Sequence, residues 1–210
     1  MKKNLFIAFE GIDGSGKSTQ AKLLSGNLKN AGHKVYTTCE PTDSPIGTMI
    51  RNIFNHKMEA DHRTIAGLFL ADRLDHLLNK TTGIIKKLEE GYTVITDRYY
   101  FSSYAYHGTH MPMDWVIEAN SICAGLLRPD INIYIDLLPE TSMKRLSSGR
   151  TSMELYETLE NLKNVRDKYL EAFDQLKFEE NIFVTDGNRL PELIAEDIWK
   201  GIAQMDVPTK

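Results

Sequence analysis

A glycine-rich stretch near the amino terminus has the residue types and the spacing that bind phosphate groups. Gly11 is followed by four residues and then by Gly16-Lys17-Ser18, a pattern in which backbone N–H groups surround the phosphates of a nucleotide. The lysine ammonium reaches the outer phosphates, and the serine hydroxyl suits Mg²⁺, which prefers oxygen ligands. The predicted nucleoside triphosphate site consists of Gly11, Ile12, Asp13, Gly14, Ser15, Gly16, Lys17, Ser18 and Thr19.

The segments on either side of this stretch are those that the phosphate-binding pattern requires. Residues 5–9 are apolar and favour a buried strand, and residues 17–31 combine helix formers with regularly spaced apolar side chains. A helix that begins at Lys17 adds the positive end of its dipole to the phosphate site. A flexible glycine turn is the alternative interpretation, and the flanking strand and helix argue against it.

A second pair of charged residues follows the third predicted strand, residues 92–96. Asp97 lies at the carboxyl end of that strand, where phosphate-loop proteins commonly hold magnesium directly or through water. Arg98 has the charge to bind a phosphate group, and a surface ion pair is the alternative for both residues. Asp136 ends the fourth strand and competes for the metal role, although capping of the helix that Pro139 opens also explains it.

A small polar segment, residues 147–152, separates two predicted helices and contains Arg150. A mobile arginine at this position would close over the transferring phosphoryl group, offset its charge and help to exclude water. A solvated loop arginine explains the residue equally well. Arg145, one turn back, is a weaker candidate for the same role.

Two further features suit recognition of a nucleotide. Phe69 and Arg73 share one face of a helix predicted over residues 61–79, so that Phe69 would stack on a base and Arg73 would bind its edge. The alternative is that Phe69 packs in the core and Arg73 lies at the surface without contacting a nucleotide, and the spacing alone favours this interpretation. Asp13 opposes the charge of the phosphates, and accepting a hydrogen bond from a sugar hydroxyl would offset that cost. Contact through water and simple solvent exposure are its alternatives.

The composition is that of an ordinary folded protein, with 41% hydrophobic and 26% charged residues in a chain of 210. The net charge of −4 argues against a general nucleic-acid-binding surface. Cys39 and Cys123 have no paired spacing, which favours a reducing compartment without structural zinc. No apolar segment approaches the ~18 residues of a membrane span, and no signal peptide is recognised. We therefore expect a cytoplasmic protein without membrane or nucleic-acid partners.

Apolar strands alternate with helices along the whole chain, which predicts an α/β fold with a five-stranded parallel sheet covered on both faces. We find no linker or internal repeat, and we expect residues 1–210 to form one domain. The strands are predicted at residues 5–9, 34–39, 92–96, 131–136 and 181–185. The helices are predicted at residues 17–31, 49–54, 61–79, 83–90, 113–124, 139–146, 153–176 and 191–203.

Four features of the sequence together resemble the thymidylate kinase family over nearly the full length of the chain. They are Glu10 to Thr19, Glu40-Pro41, the Leu68–Arg73 helix segment, and Asp97-Arg98-Tyr99 with Ser102 and Tyr106 behind it. The resemblance implies a three-layer P-loop kinase fold. It also implies transfer of the γ-phosphoryl group of ATP to dTMP with Mg²⁺, and a homodimer.

The resemblance also implies roles for single residues. Phe69 would stack on thymine, Arg73 would bind its carbonyl group, and Arg98 would hold the phosphate of the acceptor. Asp13 would accept a hydrogen bond from the 3′-hydroxyl, and Tyr106 would occupy the place of a 2′-hydroxyl. Residues 147–156 would form the lid over ATP. The substrate residues are Asp13, Glu40, Pro41, Phe69, Arg73, Arg98, Ser102, Ser103 and Tyr106; the catalytic residues are Lys17, Asp97, Arg98 and Arg150; the metal ligands are Ser18 and Asp97.

The chain departs from the family pattern at two functional positions. Ser103 stands where many bacterial members have an asparagine that reads the base, and Leu155 stands where many members have a lid arginine. Three alternatives therefore stay open: a catalytically weak nucleotide-binding relative, a kinase for another acceptor such as dUMP or CMP, and a GTP-dependent switch. The switch requires an Asn-Lys-x-Asp motif, and the closest approach, residues 79–82, lacks the aspartate.

Overall fold

A computed structural model describes residues 4–149, 155–203 and 205 of the chain. Its five strands form one parallel sheet in the order β2-β3-β1-β4-β5, which confirms the predicted sheet. The strands are β1 (Phe6–Glu10), β2 (Val35–Cys39), β3 (Thr93–Asp97), β4 (Ile131–Asp136) and β5 (Ile182–Asp186). The helices are α1 (Lys17–Asn30), α2 (Pro45–Phe54), α3 (His62–Leu78), α4 (Ile84–Glu89), α5 (Tyr100–His107), α6 (Met113–Leu126), α7 (Pro139–Gly149), α8 (Leu159–Leu176) and α9 (Pro191–Ala203).

Apolar side chains cover both faces of the sheet, because successive residues of a strand point in opposite directions. Ile7 and Phe9 of β1 pack with apolar residues of β4, α1 and α9 in one cluster. Phe6 and Ala8 of the same strand pack on the other side with residues of α5, α6 and α8. β1 is therefore buried on both faces, as its continuous apolar sequence predicts.

The order of the strands determines where a ligand site can form. From β1 the chain passes to β2 and β3 on one side of the sheet, and it later crosses to β4 and β5 on the other side. The register places Phe9 beside both Asp97 of β3 and Ile133 of β4, so the loop after β1 emerges between two neighbouring strand ends. Such a crevice at the carboxyl ends of a parallel sheet is the usual ligand site of this architecture.

The largest departure from the predicted elements is α5, a stretch for which the sequence predicts no helix. All eight residues of this helix are buried, so its sequence carries no alternation of polar and apolar faces.

The prediction for α8 is also wrong at its start, since the helix begins at Leu159 and not at Met153. Thr158 caps it there, with its hydroxyl accepting a hydrogen bond from the backbone N–H of Asn161 at 3.2 Å.

Two further boundaries differ from the prediction. α2 begins at Pro45 inside the predicted loop, because Ser44 caps the helix through the N–H of Gly47 at 3.1 Å and proline suits the first helical position. α7 continues to Gly149, so residues 147–149 are helical and not part of a loop.

No helix among the described residues is both long enough and apolar enough to cross a bilayer.

Candidate functional site

The loop between β1 and α1 has the backbone geometry that phosphate binding requires. Gly11, Gly14 and Gly16 have φ angles of 146°, 72° and 98°, which L side chains rarely adopt. A Cβ atom at Gly11 would also lie 2.7 Å from the Ser15 hydroxyl and 2.8 Å from the Ile135 carbonyl oxygen. We call residues 11–18 the phosphate loop.

Lys17 lies beneath this loop and is almost entirely buried. Its ammonium donates hydrogen bonds to the carbonyl oxygens of Gly11 at 3.0 Å and Ile12 at 2.9 Å. Burial lowers the pKa of Lys17 to about 8, and the positive charge of Arg98 acts in the same direction. The lysine charge is therefore poorly solvated, and an anion bound in the loop would stabilise it.

Ser18 and Asp97 bring two oxygen donors together beside the loop. The Ser18 hydroxyl donates a hydrogen bond to the Asp97 carboxylate at 2.5 Å, and both residues line the same cavity. The described residues contain no group of three or more His, Cys, Asp and Glu side chains that would hold a metal alone. A hydroxyl with one carboxylate fits Mg²⁺ that takes its remaining ligands from phosphates and water.

Arg98 links the end of β3 to the phosphate loop. Its backbone has a φ of 76°, a rare conformation for a residue with a side chain. The guanidinium pairs with the Asp13 carboxylate, and it donates to the Gly11 carbonyl at 3.2 Å and the Ser102 hydroxyl at 3.1 Å. The Tyr106 hydroxyl donates to Asp13 at 2.8 Å. Burial disfavours the charge of Arg98, but Tyr106 and Asp13 outweigh this effect and raise its pKa.

Arg73 and Glu40 form a buried ion pair behind the cavity. The Nε and Nη2 atoms of Arg73 donate to one Glu40 oxygen at 2.9 and 2.7 Å, and the other oxygen lies 3.1 Å from Nδ1 of His76. Arg73 also donates to the hydroxyl of Ser103 at 3.0 Å and to Asn120 at 2.5 Å. The side chain of Arg73 is 1% exposed, so the prediction of a surface arginine, which the spacing alone favoured, is wrong.

A single cavity of about 550 Å³ collects most of the predicted site residues. Its lining includes residues from the phosphate loop, both residues of the Glu40–Pro41 pair, and Phe69 from α3. The lining residues named by the sequence are Asp13, Gly14, Gly16, Lys17, Ser18, Thr19, Glu40, Pro41, Phe69, Asp97, Arg98, Ser102, Ser103 and Tyr106. Gly11, Ile12, Ser15 and Arg73 are not among the lining residues, and Arg150 lies outside the described part of the chain.

Two other charged residues singled out by the sequence have protein partners. The carboxylate of Asp136 accepts hydrogen bonds from Arg166 at 2.7 and 2.8 Å, and it does not line the cavity. Arg145 of α7 donates to the carbonyl oxygens of Gly14 at 3.2 Å and Gly187 at 3.0 Å. Arg145 therefore braces the phosphate loop against the turn after β5.

His107 is a cavity residue that the sequence analysis missed. It is 2% exposed, its ring centre lies 5.3 Å from that of Phe69, and its Nδ1 atom is buried without a hydrogen-bond partner. Burial, and then the charge of Arg73, lower its pKa to about 3, so the ring is neutral at physiological pH. A helix over residues 100–107 would place His107 on the same face as Ser103, and this spacing is the signal in the sequence that indicates a cavity position for His107. The other lining residues that were missed are Cys39, Arg51, Phe54, Asn55, Leu146, Tyr156 and Glu157.

Comparison with known proteins agrees with this geometry. Residues 9–198 match the family model described as thymidylate kinase. A protein of Caldivirga maquilingensis named as a probable thymidylate kinase is 39% identical over 92% of this chain and 91% of its own length. Proteins with the same name from Thermococcus kodakarensis and Methanocaldococcus jannaschii are 38% and 39% identical, over 82% and 85% of this chain and 87% and 86% of their own lengths.

The buried ion pair predicts a large stability cost for the substitution Glu40→Ala. Removing the carboxylate leaves the Arg73 charge buried without its partner, which should lower the free energy of unfolding by about 3–5 kcal/mol. The matched control is Glu140→Ala, which removes an ion pair with Lys163 whose two side chains are each 52% exposed. This control should cause a far smaller loss, because an exposed ion pair and one acidic residue in the first turn of α7 contribute little. Urea denaturation at 25 °C measures both, and equal effects would contradict the assignment.

Proposed function

From the finding that this chain belongs to the thymidylate kinase family, we infer that it is an ATP-dependent nucleoside monophosphate kinase acting on dTMP. The reaction transfers the γ-phosphoryl group of ATP to dTMP and gives dTDP and ADP in dTTP synthesis. The observation that carries this proposal is that Lys17 of the phosphate loop and Arg98 at the end of β3 line one cavity. A donor phosphate and an acceptor phosphate can therefore meet there, in a single domain.

The phosphate loop and Lys17 would bind the triphosphate of ATP. α1 begins at Lys17 directly after the N-cap Gly16, so the backbone N–H groups of its first turn would be available to the phosphates. The ammonium of Lys17 lies beneath the loop. Ser18 and Asp97 would hold Mg²⁺, which when bound offsets the charge of the phosphates. Little covalent chemistry is required of the protein, because positioning and charge stabilisation supply most of the rate.

The opposite part of the cavity would bind dTMP. Arg98 would exchange part of its contact with Asp13 for the phosphate of the acceptor, and Asp13 would accept a hydrogen bond from the 3′-hydroxyl. Tyr106, which donates to Asp13, would occupy the space of a 2′-hydroxyl and favour deoxyribose. Phe69 would stack on the base, and Ser103 with Arg73 behind it would read the base edge. Glu40, Pro41 and Ser102 would complete the wall around the acceptor.

The lid over ATP stays a prediction from the sequence. Arg150 would close on the transferring group as the catalytic arginine, and residues 147–156 would carry it. Leu155, in place of a second lid arginine, packs against two apolar clusters. A kinase that relies on one lid arginine would be slower than its relatives, because such cations contribute strongly to the rate of phosphoryl transfer.

We also propose that the protein forms a homodimer in the cytoplasm. Trp115, Ile122 and Leu126 are 49%, 57% and 42% exposed, and they lie on one face of α6. A group of exposed apolar side chains is typical of a protein interface. The resemblance to dimeric family members supports a second copy of this chain as the partner.

An acceptor panel tests the proposed reaction. The protein is incubated with ATP, Mg²⁺ and dTMP, dUMP, dCMP, AMP or GMP, and formation of ADP is followed. We expect dTMP to give a kcat/KM at least tenfold above the others, and Lys17→Met to lower it at least about 100-fold. The melting temperature of the variant should stay within a few degrees of the parent's, because removal of the buried charge offsets loss of the hydrogen bonds to Gly11 and Ile12. Equal rates across the panel, or full activity of the variant, would refute the proposal.

The substitution Arg98→Ala tests the assignment of the acceptor side. Loss of a charge-assisted contact with the acceptor phosphate should raise the Kd for dTMP about 10- to 100-fold. The Kd for ATP should rise clearly less than the Kd for dTMP, because Arg98 would bind the acceptor phosphate directly and would act on ATP only through its contact with Gly11 of the phosphate loop. Arg63→Ala, whose arginine pairs with Asp61 at the surface, is the control. Calorimetric titration measures both constants, and an equal loss for both nucleotides is incompatible with this role.

The proposed dimer is tested by the substitution Trp115→Glu. A charge on this apolar face of α6 should weaken the proposed interface and convert the dimer to a monomer. The control is Phe178→Glu, because Phe178 is 93% exposed and follows α8, not α6. Sedimentation velocity should show a dimer for the parent protein and for the control. A parent protein that sediments as a monomer at micromolar concentration would remove this part of the proposal.

A further inference from the structure

Glu10, the last residue of β1, is a buried carboxylate to which neither the sequence analysis nor the proposed reaction gives a role. It is 0% exposed, although it directly precedes the phosphate loop. Three donors surround it. One oxygen accepts from the backbone N–H of Tyr99 at 2.9 Å, and the other accepts from the hydroxyls of Ser102 at 2.6 Å and Tyr169 at 3.0 Å.

These contacts join the three elements that surround the acceptor side of the cavity. Tyr99 follows Arg98 at the junction of β3 and α5, and its N–H bond to Glu10 holds that junction against β1. The Ser102 hydroxyl, which donates to Glu10, also accepts a hydrogen bond from the guanidinium of Arg98 at 3.1 Å. Tyr169 adds α8 to the same network. Glu10 is therefore connected to the phosphate-binding arginine through a single side chain.

We propose that Glu10 is a positioning residue that orients Arg98 through Ser102 and takes up a proton when the phosphate of the acceptor binds to Arg98. This inference rests on the proposed function, because it requires a phosphorylated acceptor at Arg98. Glu10 touches no substrate in this scheme. It acts on the acceptor only through the network that it holds.

The charges around Glu10 support proton uptake. Burial raises the pKa of Glu10 to about 7, an effect that hydrogen bonds from Ser102, Tyr99 and Tyr169 and the charge of Arg98 reduce only in part. The carboxyl group is then about half ionised at neutral pH. The groups that face it are Arg98 from the end of β3, Lys17 from α1, Tyr169 from α8 and Tyr134, its register partner on β4.

Acceptor binding shifts the ionisation of Glu10 toward the protonated form. A phosphate on Arg98 brings negative charge close to the carboxylate and engages the positive charge that partly stabilises it. Both effects favour the protonated form of Glu10, so binding near pH 7 draws a proton from solution. By linkage, the contribution of Glu10 weakens binding of a phosphorylated acceptor as the pH rises through 7, because the proton must be supplied at lower concentration. Ionisation of the acceptor's own phosphate acts in the opposite direction.

Calorimetry of dTMP binding in buffers of low and high ionisation enthalpy tests the proposal, since the difference in heat counts the protons taken up. At pH 7 the parent protein should take up as much as about 0.5 proton more per bound dTMP than Glu10→Gln, which mimics the neutral carboxyl group. Protons exchanged by the nucleotide itself cancel in this difference. Between pH 6 and pH 8, the ratio of the parent's Kd for dTMP to that of Glu10→Gln should also rise, because the contribution of the nucleotide cancels in this ratio.

Glu180→Gln is the matched control, because Glu180 is also buried and accepts a hydrogen bond from a tyrosine hydroxyl, that of Tyr100 at 2.7 Å. It precedes β5 and so lies at the opposite end of the sheet from the cavity. This variant should take up the same number of protons as the parent protein.

Tyr169→Phe provides an independent test that does not depend on the folding of Glu10→Gln. Loss of the hydroxyl removes a hydrogen bond to the ionised carboxylate. The variant should therefore take up fewer protons than the parent at pH 7 and reach its maximum uptake at higher pH. Equal uptake by the parent and Glu10→Gln, or an unshifted profile in Tyr169→Phe, would overturn the role of Glu10. A parent protein that does not bind dTMP would overturn the proposed function as well.

Discussion

The contact between Arg98 and the phosphate loop is the interaction on which the rest of the site depends. The backbone N–H of Arg98 donates to the Phe9 carbonyl at 2.9 Å, which continues the pairing of β3 with β1 beyond the strand. Its guanidinium then reaches the Gly11 carbonyl and the Asp13 carboxylate. Because one residue ties two adjacent strand ends together, the residues that would bind a donor and those that would bind an acceptor occupy one cavity.

The site concentrates charge in a poorly solvated place. Lys17 has a pKa lowered by burial, Glu10 has a pKa raised by burial, and the Arg73–Glu40 pair is closed off from solvent. Each of these groups carries a desolvation cost that the apolar faces of the sheet must offset. The same low polarity strengthens any interaction with a bound phosphate, so the burial of charge that costs stability would favour binding of a phosphorylated ligand.

The elements that the sequence predicted well are those whose environment is regular. β1 is apolar up to Glu10, and β4 is apolar apart from Asn132 and Asp136, because both faces of these strands are covered. α1 and α9 have apolar positions at helical spacing. α5 was missed because a helix buried on every side shows no such periodicity. α2 and α8 begin where a serine or threonine hydroxyl caps the first turn of the helix. Serine and threonine are too common in sequences for their presence alone to mark a helix boundary.

The sequence by itself determined the phosphate loop, its lysine and the Asp97–Arg98 pair, because a glycine turn and a strand end are local features with a fixed spacing. Only the tertiary structure decided which neighbours these residues meet. The spacing predicted a surface position for Arg73, but in the structure it is buried in an ion pair with Glu40, 33 positions away. His107 lines the cavity because it lies on α5, a helix that is buried on all sides and has no polar face in its sequence. Burial and charge pairing depend on contacts between distant parts of the chain, and the spacing of residues within one segment carries no information about them.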